Sequence, residues 1–325
     1  MTADRLDLDT LDRGHKHTEW LSVASRPDGG EWRLPYLCAR GDKSGPTLVV
    51  VAGVHGDEYE GVEAIPQVFS QVNPAELQGD LLMVPICNMP AYEAILRSSP
   101  IDGLNLARVF PGDPEGSITH RIAAVVKEEI IKKADFFIDL HSGGITYNIP
   151  TLVGYTHDKG DLGQRSLEAA KIFGAPILWG HPLPLPEGRT ISTAVGLGIP
   201  CIYTEAPGGG IARPEDVRCF ANGVLNVMKW MDMVPGEPDS SPLLHHFVGK
   251  GNLDQVVSAP VAGYFRPKVN LLDKVTTGQL VGVIQDFFGQ TLHEIHADTT
   301  GHIIMLRRLH RVRVGDGLVH ITTSV

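Results

Sequence analysis

Residues 49–61 read Val-Val-Val-Ala-Gly-Val-His-Gly-Asp-Glu-Tyr-Glu-Gly, and the reading of that stretch decides the fold. A run of β-branched residues stops at Gly53, and two metal-type side chains, His55 and Glu58, follow at once. An apolar run dominated by valine and closed by glycine is the pattern of a buried parallel strand. His55 and Glu58 then fall in the loop past the strand's carboxyl end, the edge where open α/β sheets place their sites. An imidazole and a carboxylate three residues apart can reach one ion when the loop curls, and the pair is zinc-type ligand chemistry. Alone the pair decides little, because a helix N-terminus with a solvated glutamate fits the same residues equally well.

Outward from that stretch, strands and helices alternate. Residues 15–46 carry short alternating segments, His17 to Val23 and Trp32 to Ala39, separated by Gly-rich turns, which reads as a hairpin or edge strands. Leu48 to Ala52 is the first central strand, Gly61 to Gln71 has helical spacing, and Asp80 to Pro85 is a second strand. Residues 88–113 lack periodicity, and a loop of that length inside a compact domain is usually functional. Thr119 to Lys133 has amphipathic spacing, and Asp135 to Leu140 is a third strand ending in His141. Leu162 to Phe173 and Ser192 to Leu197 read as helices, Cys201 to Thr204 as a fourth strand ending in Glu205, and Pro214 to Met233 as the last long helix. This alternation from 47 to 233 predicts an α/β fold, a mostly parallel sheet covered by helices on both faces. The expected domains are a catalytic unit over 1–233 and a linker over 234–252, rich in Pro, Gly and Ser. A small all-β unit over 253–325 follows, with glycines at 263, 278, 282, 289, 301, 315 and 317.

At 325 residues the chain has room for one large domain and a small one. Its 42% hydrophobic and 20% charged content is that of a soluble globular protein. A net charge of −10 without a Lys/Arg cluster excludes nucleic acid as the expected partner. The longest apolar runs are too short to cross a bilayer, and Met1 to Arg13 does not read as a secretory signal. Cys38, Cys87, Cys201 and Cys219 show no paired spacing and read as apolar side chains in a reducing compartment, so the cytoplasm is the expected location.

Three separated segments repeat one arrangement, an apolar strand that ends in a ligand or an acid: His55 with Glu58, Asp139-Leu-His141, and Glu205. Strand carboxyl ends share one edge of a parallel sheet, so these side chains can converge across 150 residues of chain. Two histidines and one glutamate leave a fourth metal position open, the composition of a catalytic zinc site, and an unligated glutamate beside it can act as general base. Asp139 can accept a hydrogen bond from the second nitrogen of a ligand, although capping a turn suits it as well. Asn105, Arg108 and Arg97 enter the long loop toward the same edge, where arginine suits capture of a carboxylate or stabilisation of an oxyanion.

These residues resemble the succinylglutamate desuccinylase/aspartoacylase family, relatives of the zinc carboxypeptidases. The resemblance is carried by Gly-Val-His-Gly-Asp-Glu-Tyr-Glu-Gly (53–61), Asp-Gly-Leu-Asn-Leu-Ala-Arg-Val-Phe-Pro-Gly (102–112), Asp-Leu-His-Ser-Gly (139–143) and Thr-Glu-Ala-Pro-Gly-Gly (204–209), in the family's order. It implies that His55, Glu58 and His141 bind one zinc ion per chain and that Glu205 activates the water on it. It also implies that Arg108 holds the substrate carboxylate and that Arg97 polarises the scissile carbonyl. Ala107 departs from the family's frequent Asn-Leu-Asn-Arg, removing an amide near the substrate's acidic end unless Asn105 supplies one. The C-terminal segment resembles the family's barrel-sandwich domain, similar to biotinyl and lipoyl carriers. Residues 287–293 offer no lysine for modification, which argues against carriage. The sequence holds no Gly-x-Ser-x-Gly elbow, and the histidines at 245, 246, 293 and 296 are not counted as ligands.

The resulting expectation is a zinc-dependent amidohydrolase that removes an acetyl- or succinyl-type group from an N-acylated amino acid or related amine. Its partner is a small molecule, with neither nucleic acid nor membrane involved, and a homo-oligomer is compatible with it. The alternatives are a zinc carboxypeptidase acting on short peptides and a non-catalytic metal- or ligand-binding protein on the same fold.

Overall fold

A computed structural model describes residues 5–239, 242–249 and 256–323. Three strands come first: β1 (Lys16–Ser25), β2 (Glu31–Arg40) and β3 (Lys43–Ala52). Helix α1 (Glu60–Gln71), β4 (Gln78–Val84), helices α2 (Met89–Ala94) and α3 (Ile118–Val125), β5 (Phe136–Leu140) and the short β6 (Tyr147–Asn148) follow. Next come β7 (Leu152–His157), α4 (Asp161–Phe173), β8 (Ile177–Pro182), α5 (Thr190–Gly196), β9 (Cys201–Glu205), α6 (Pro214–Trp230) and β10 (His245–Val248). The main sheet has nine strands in the order β1-β2-β4-β3-β5-β9-β7-β8-β10.

The valine run is the middle of this sheet. Leu48, Val50 and Ala52 of β3 enter one core with α1, α4 and α6, while Val49 and Val51 enter the other with α3 and α5. Burial on both faces is why the segment reads as continuously apolar instead of alternating. Helices on both faces agree with the sequence. The sheet is mostly parallel as expected, five of its eight neighbouring pairs, but it is mixed, with three antiparallel pairs. β4, β3, β5 and β9 are parallel, and so are β7, β8 and β10, but β7 runs against β9, and β2 runs against both β1 and β4. A parallel neighbour needs a crossover of a dozen or more residues, usually through a helix. Residues 141–151 contain no helix, so the chain turns back after β5 and β7 enters antiparallel.

Other readings shift locally. The helix expected over 119–133 is helical over Ile118–Val125, widens over Val126–Ile130 and tightens over Ile131–Lys133. The aperiodic loop holds α2 and a single tight turn, Leu106–Arg108. His245–Val248, inside the stretch read as a linker, is the edge strand β10; residues 240–241 and 250–252 of that stretch, and 253–255 at the start of the expected β unit, lie outside the described residues.

Eight further strands follow: β11 (Val257–Ser258), β12 (Gly263–Pro267), β13 (Lys274–Val275), β14 (Leu280–Gln285), β15 (Thr291–His296), β16 (Gly301–Arg307), β17 (Arg311–Val312) and β18 (Gly317–Thr322). They form one sheet in the order β11-β18-β16-β13 and another in the order β15-β14-β12-β17, with Phe265, Ile284, Ile303 and Leu318 buried in one cluster. β6 pairs with β16, Asn148 opposite Leu306 and Tyr147 opposite Arg307, and so ties this β unit to the site edge of the main sheet. Among the described residues no helix is long and apolar enough to cross a membrane.

Candidate active site

β3, β5 and β9 are adjacent and parallel, with Ala52 opposite Leu140 and Leu140 opposite Thr204. Their carboxyl ends therefore lie level, and the residues just beyond them meet. Gly53 adopts φ +60° and lies so close to the next segment that a Cβ would stand 2.8 Å from Ile86 Cα. That turn lets the chain leave β3 sharply. The amides of Cys87 and Asn88 then bond the carbonyls of Ala52 and Gly53, fixing the start of the loop that holds His55 and Glu58.

The Glu58 carboxylate is the hub. Its Oε1 lies 2.8 Å from His55 Nδ1 and its Oε2 lies 2.9 Å from His141 Nδ1. Arg97 Nη1 donates to Oε1 at 3.0 Å and the Ser142 amide donates to Oε2 at 3.1 Å. The ligand-type atoms of His55, Glu58 and His141 all lie within 4.8 Å of one another. Both outer nitrogens are held as well: His55 Nε2 lies 3.1 Å from Asn105 Oδ1, and His141 Nε2 lies 2.9 Å from Asp139 Oδ2. The Ala107 amide donates to that same Asn105 oxygen at 2.9 Å, which identifies it as the carbonyl end. Both outer partners only accept, so each imidazole carries a proton on Nε2, and Nδ1, which faces the Glu58 carboxylate, is the nitrogen placed to hold a cation. Nδ1 atoms 2.8 and 2.9 Å from carboxylate oxygens need a positive charge between them, carried by a proton or by a metal ion. The donor set therefore fits a divalent metal ion, with outer partners that fix the imidazoles' orientation.

Glu205, the last residue of β9, lines a small cavity of about 80 Å³ beside His55 and His141. Its Oε2 is buried and has no hydrogen-bond partner among the described residues. Burial, and then the Glu58 carboxylate, push its pKa up to about 8. A buried carboxylate with a free oxygen next to a metal-type cluster is equipped to hold and move a proton.

Arg97 and Arg108 line the same cavity. Arg97 is engaged on Glu58 and its guanidinium lies 5.9 Å from the Tyr147 ring centre. Arg108 donates to the carbonyl of Ala107 at 2.8 Å. Asn105, read as a substrate contact, spends its carbonyl oxygen on His55 and the Ala107 amide, and Ala107 itself faces the cavity. The cavity also takes in Trp179, His181, Arg189, Thr190 and Tyr203, which the sequence reading passed over, and an apolar wall of Ile149, Leu185, Ile304 and Met305. Tyr203 was findable, since it lies two residues before Glu205 on one strand and so shares its face. The wall residues 304 and 305 carried no signal, because the β6–β16 pairing brings them in.

Residues 44–231 match the catalytic-domain model of one family. The chain belongs to the succinylglutamate desuccinylase/aspartoacylase family. The chain is 34% identical over 288 residues to the N-alpha-acetyl-L-2,4-diaminobutyric acid deacetylase of Halomonas elongata, a match covering 86% of this chain and 83% of that one. A succinylglutamate desuccinylase/aspartoacylase structure from Rhodobacter sphaeroides superposes with a TM-score of 0.87 at 30% identity, covering 99% of this chain and 98% of the other. The product-bound ectoine utilization protein EutE (DoeB) from Ruegeria pomeroyi gives a TM-score of 0.86 at 28% identity, with 97% of each chain covered. Every donor named above falls within the matched catalytic segment of this family member, whereas the wall residues Ile304 and Met305 lie beyond it.

Proposed function

We propose that this chain is a zinc-dependent deacylase that hydrolyses the amide bond of a small N-acylated amino acid, releasing a short acyl group and the free amine. The observation that carries the reading is the pair of inward Nδ1 atoms and the Glu58 carboxylate beside the unpartnered oxygen of Glu205. His55, Glu58 and His141 would hold the zinc, which, when bound, supplies a Lewis acid for the carbonyl and acidifies water. Glu205 takes the proton of the attacking water and returns it to the leaving nitrogen. Arg97, already at the cluster, stands ready to stabilise the developing oxyanion, and Arg108 to receive the substrate carboxylate. Asn105 and Asp139 keep the imidazoles in the tautomer that leaves Nδ1 free to bind.

We assign the catalytic groups to residues 1–233 and a wall-forming role to the β unit over 253–325, on the ground that Ile304 and Met305 line the cavity. That wall favours a small substrate over a peptide. The Halomonas relative is named for an N-acetylated diamino acid, which makes Nα-acetyl-2,4-diaminobutyrate the first compound to try. The test is metal content of the purified protein, followed by amine release from N-acetyl and N-succinyl amino acids with and without chelator. About one zinc per chain and chelator-sensitive release is the expected result. Zinc without release from any small amide would overturn the deacylase reading, and absence of bound or acquired metal would overturn the metal centre.

A further inference from the structure

Strand β9 divides the site edge in two. His55 and Glu58 follow β3 and His141 follows β5 on one side of it, and β7 and then β8 lie on the other. Tyr203 stands on β9 two residues before Glu205 and shares its face. Its ring leans away from the metal-type cluster and over β7, where Gly154 leaves room, since a Cβ at 154 would fall within the ring. The phenol oxygen reaches β8 and lies 2.8 Å from His181 Nε2, the two rings stacking at a centroid distance of 5.6 Å.

That contact has one protonation pattern. His181 Nδ1 lies 2.9 Å from the carbonyl oxygen of Gly249, just past β10. A carbonyl only accepts, so Nδ1 carries the proton. Burial lowers the imidazole's pKa to about 4, so the ring is neutral near pH 7 and Nε2 is an acceptor. Burial also raises the Tyr203 phenol well above its ordinary range, so the phenol keeps its single proton and gives it to Nε2. Both residues line the cavity, and Oη meets it with lone pairs alone. Tyr203 accepts there and cannot donate.

We propose that Tyr203 accepts a hydrogen bond from the N–H of the scissile amide, so that the enzyme selects secondary amides over esters, with His181 as the positioning residue that holds the phenolic proton aside. Resting on the deacylase reading above, the assignment adds which linkage is cleaved. In a trans amide the N–H points opposite to the carbonyl oxygen. The carbonyl oxygen belongs with the metal-type cluster and Arg97, on the β3 and β5 side, so the N–H is directed toward β7 and β8, where Oη lies. An ester presents an oxygen at that place, and two acceptors then face each other in a buried cavity with no proton between them. The selection falls on the linkage and holds whatever side chain the amine carries.

The experiment takes the N-acyl amino acid turned over fastest in the panel above and the ester that joins the same acyl group to the 2-hydroxy acid of the same side chain. For both, kcat/KM is read from release of the acyl group as free acid by zinc-loaded protein. Esters are easier to cleave in themselves, so the readout is the change in the amide-to-ester ratio from wild type to variant, in which the folded fraction cancels. Tyr203→Phe keeps the ring and removes the acceptor, and is expected to lower the ratio about tenfold or more, with rate lost on the amide and kept on the ester. His181→Leu leaves the phenolic proton free to turn into the cavity, where it suits an ester oxygen, and is expected to lower the ratio at least as far. That second variant decides the matter if the tyrosine variant does not fold. An unchanged ratio in an active variant would overturn the role of Tyr203 while leaving the deacylase reading intact. Release from neither compound by zinc-loaded wild type would overturn both.

Discussion

Glu205 ends β9 with one carboxylate oxygen buried and unpartnered among the described residues, and its replacement separates chemistry from metal binding. Glu205→Gln is expected to lower kcat by about 10²–10⁴-fold while zinc content, measured on the same preparation, stays near that of wild type. Turnover at the wild-type rate would refute the role given to this residue. Asp139 acts one step further out. It accepts from His141 Nε2 and from Thr190, so Asp139→Ala frees the imidazole to rotate and to change tautomer. A loss of about 10–100-fold in zinc affinity is expected, read by competition with a chelator. The four residues at the heart of the site were legible because each stands at or just past the end of an apolar strand. The partnership of Asn105 with His55 was not, because it depends on the path of a loop that returns after 50 residues.

At the level of elements, Asp102 clamps the arginine-bearing loop to the start of α3. Its carboxylate accepts from Ser117 Oγ and Thr119 Oγ1 at 2.7 Å each, from the Thr119 amide at 3.0 Å and from the Leu104 amide at 3.2 Å. Against the cost of burial, these bonds bring its pKa down to about 2, whereas in the unfolded chain it is about 3.9. A folded-state pKa below the unfolded one means stability fully present above about pH 4 and lost as the pH falls toward 2. The advantage of wild type over Asp102→Ala, measured as a urea midpoint, should therefore shrink steadily across that interval. The strands β7 and β8 explain a different gap. Their sequences, Leu-Val-Gly-Tyr-Thr-His and Ile-Leu-Trp-Gly-His-Pro, each carry a central glycine, which weakens a strand signal. The structure gives those glycines a use: Gly154 lies under the Tyr203 ring and Gly180 against Tyr155. Gly154→Ala is expected to cost about 1–3 kcal/mol in denaturant unfolding through overpacking and to displace Tyr203. The helices with a clear apolar stripe, α1, α4 and α6, were read from the sequence with small boundary shifts.

For the molecule as a whole, the C-terminal β unit meets the main sheet through the β6–β16 pairing and a buried cluster in which Ile304 and Met305 pack with Ile149, Leu152 and Trp179. Arg308 donates to the Pro207 carbonyl, two residues past Glu205, at 2.8 Å and to Asn148 Oδ1 at 3.1 Å. Its side chain is solvent-exposed, so Arg308→Ala is expected to reduce stability by only about 1 kcal/mol and to raise KM as β16 and β6 loosen; unaltered KM would show that the wall holds without it. The change of composition near residue 234 falls before β10, which still joins the main sheet beside β8. The sheet's reversal at β7 and the seam between β6 and β16 were not legible in the sequence, since both depend on contacts between distant segments. That seam has a consequence for the order of events on the ribosome. Met305 follows His55 by 250 residues and His141 by 164, so all three metal-type donors are synthesised long before the wall strand exists. Until β16 arrives, a nascent cluster lies open to solvent from the side that the finished pocket closes. Under the zinc reading proposed above, metal loading during translation has a wider route than reloading of the mature protein, and protein stripped by chelator should regain zinc more slowly than nascent chains acquire it.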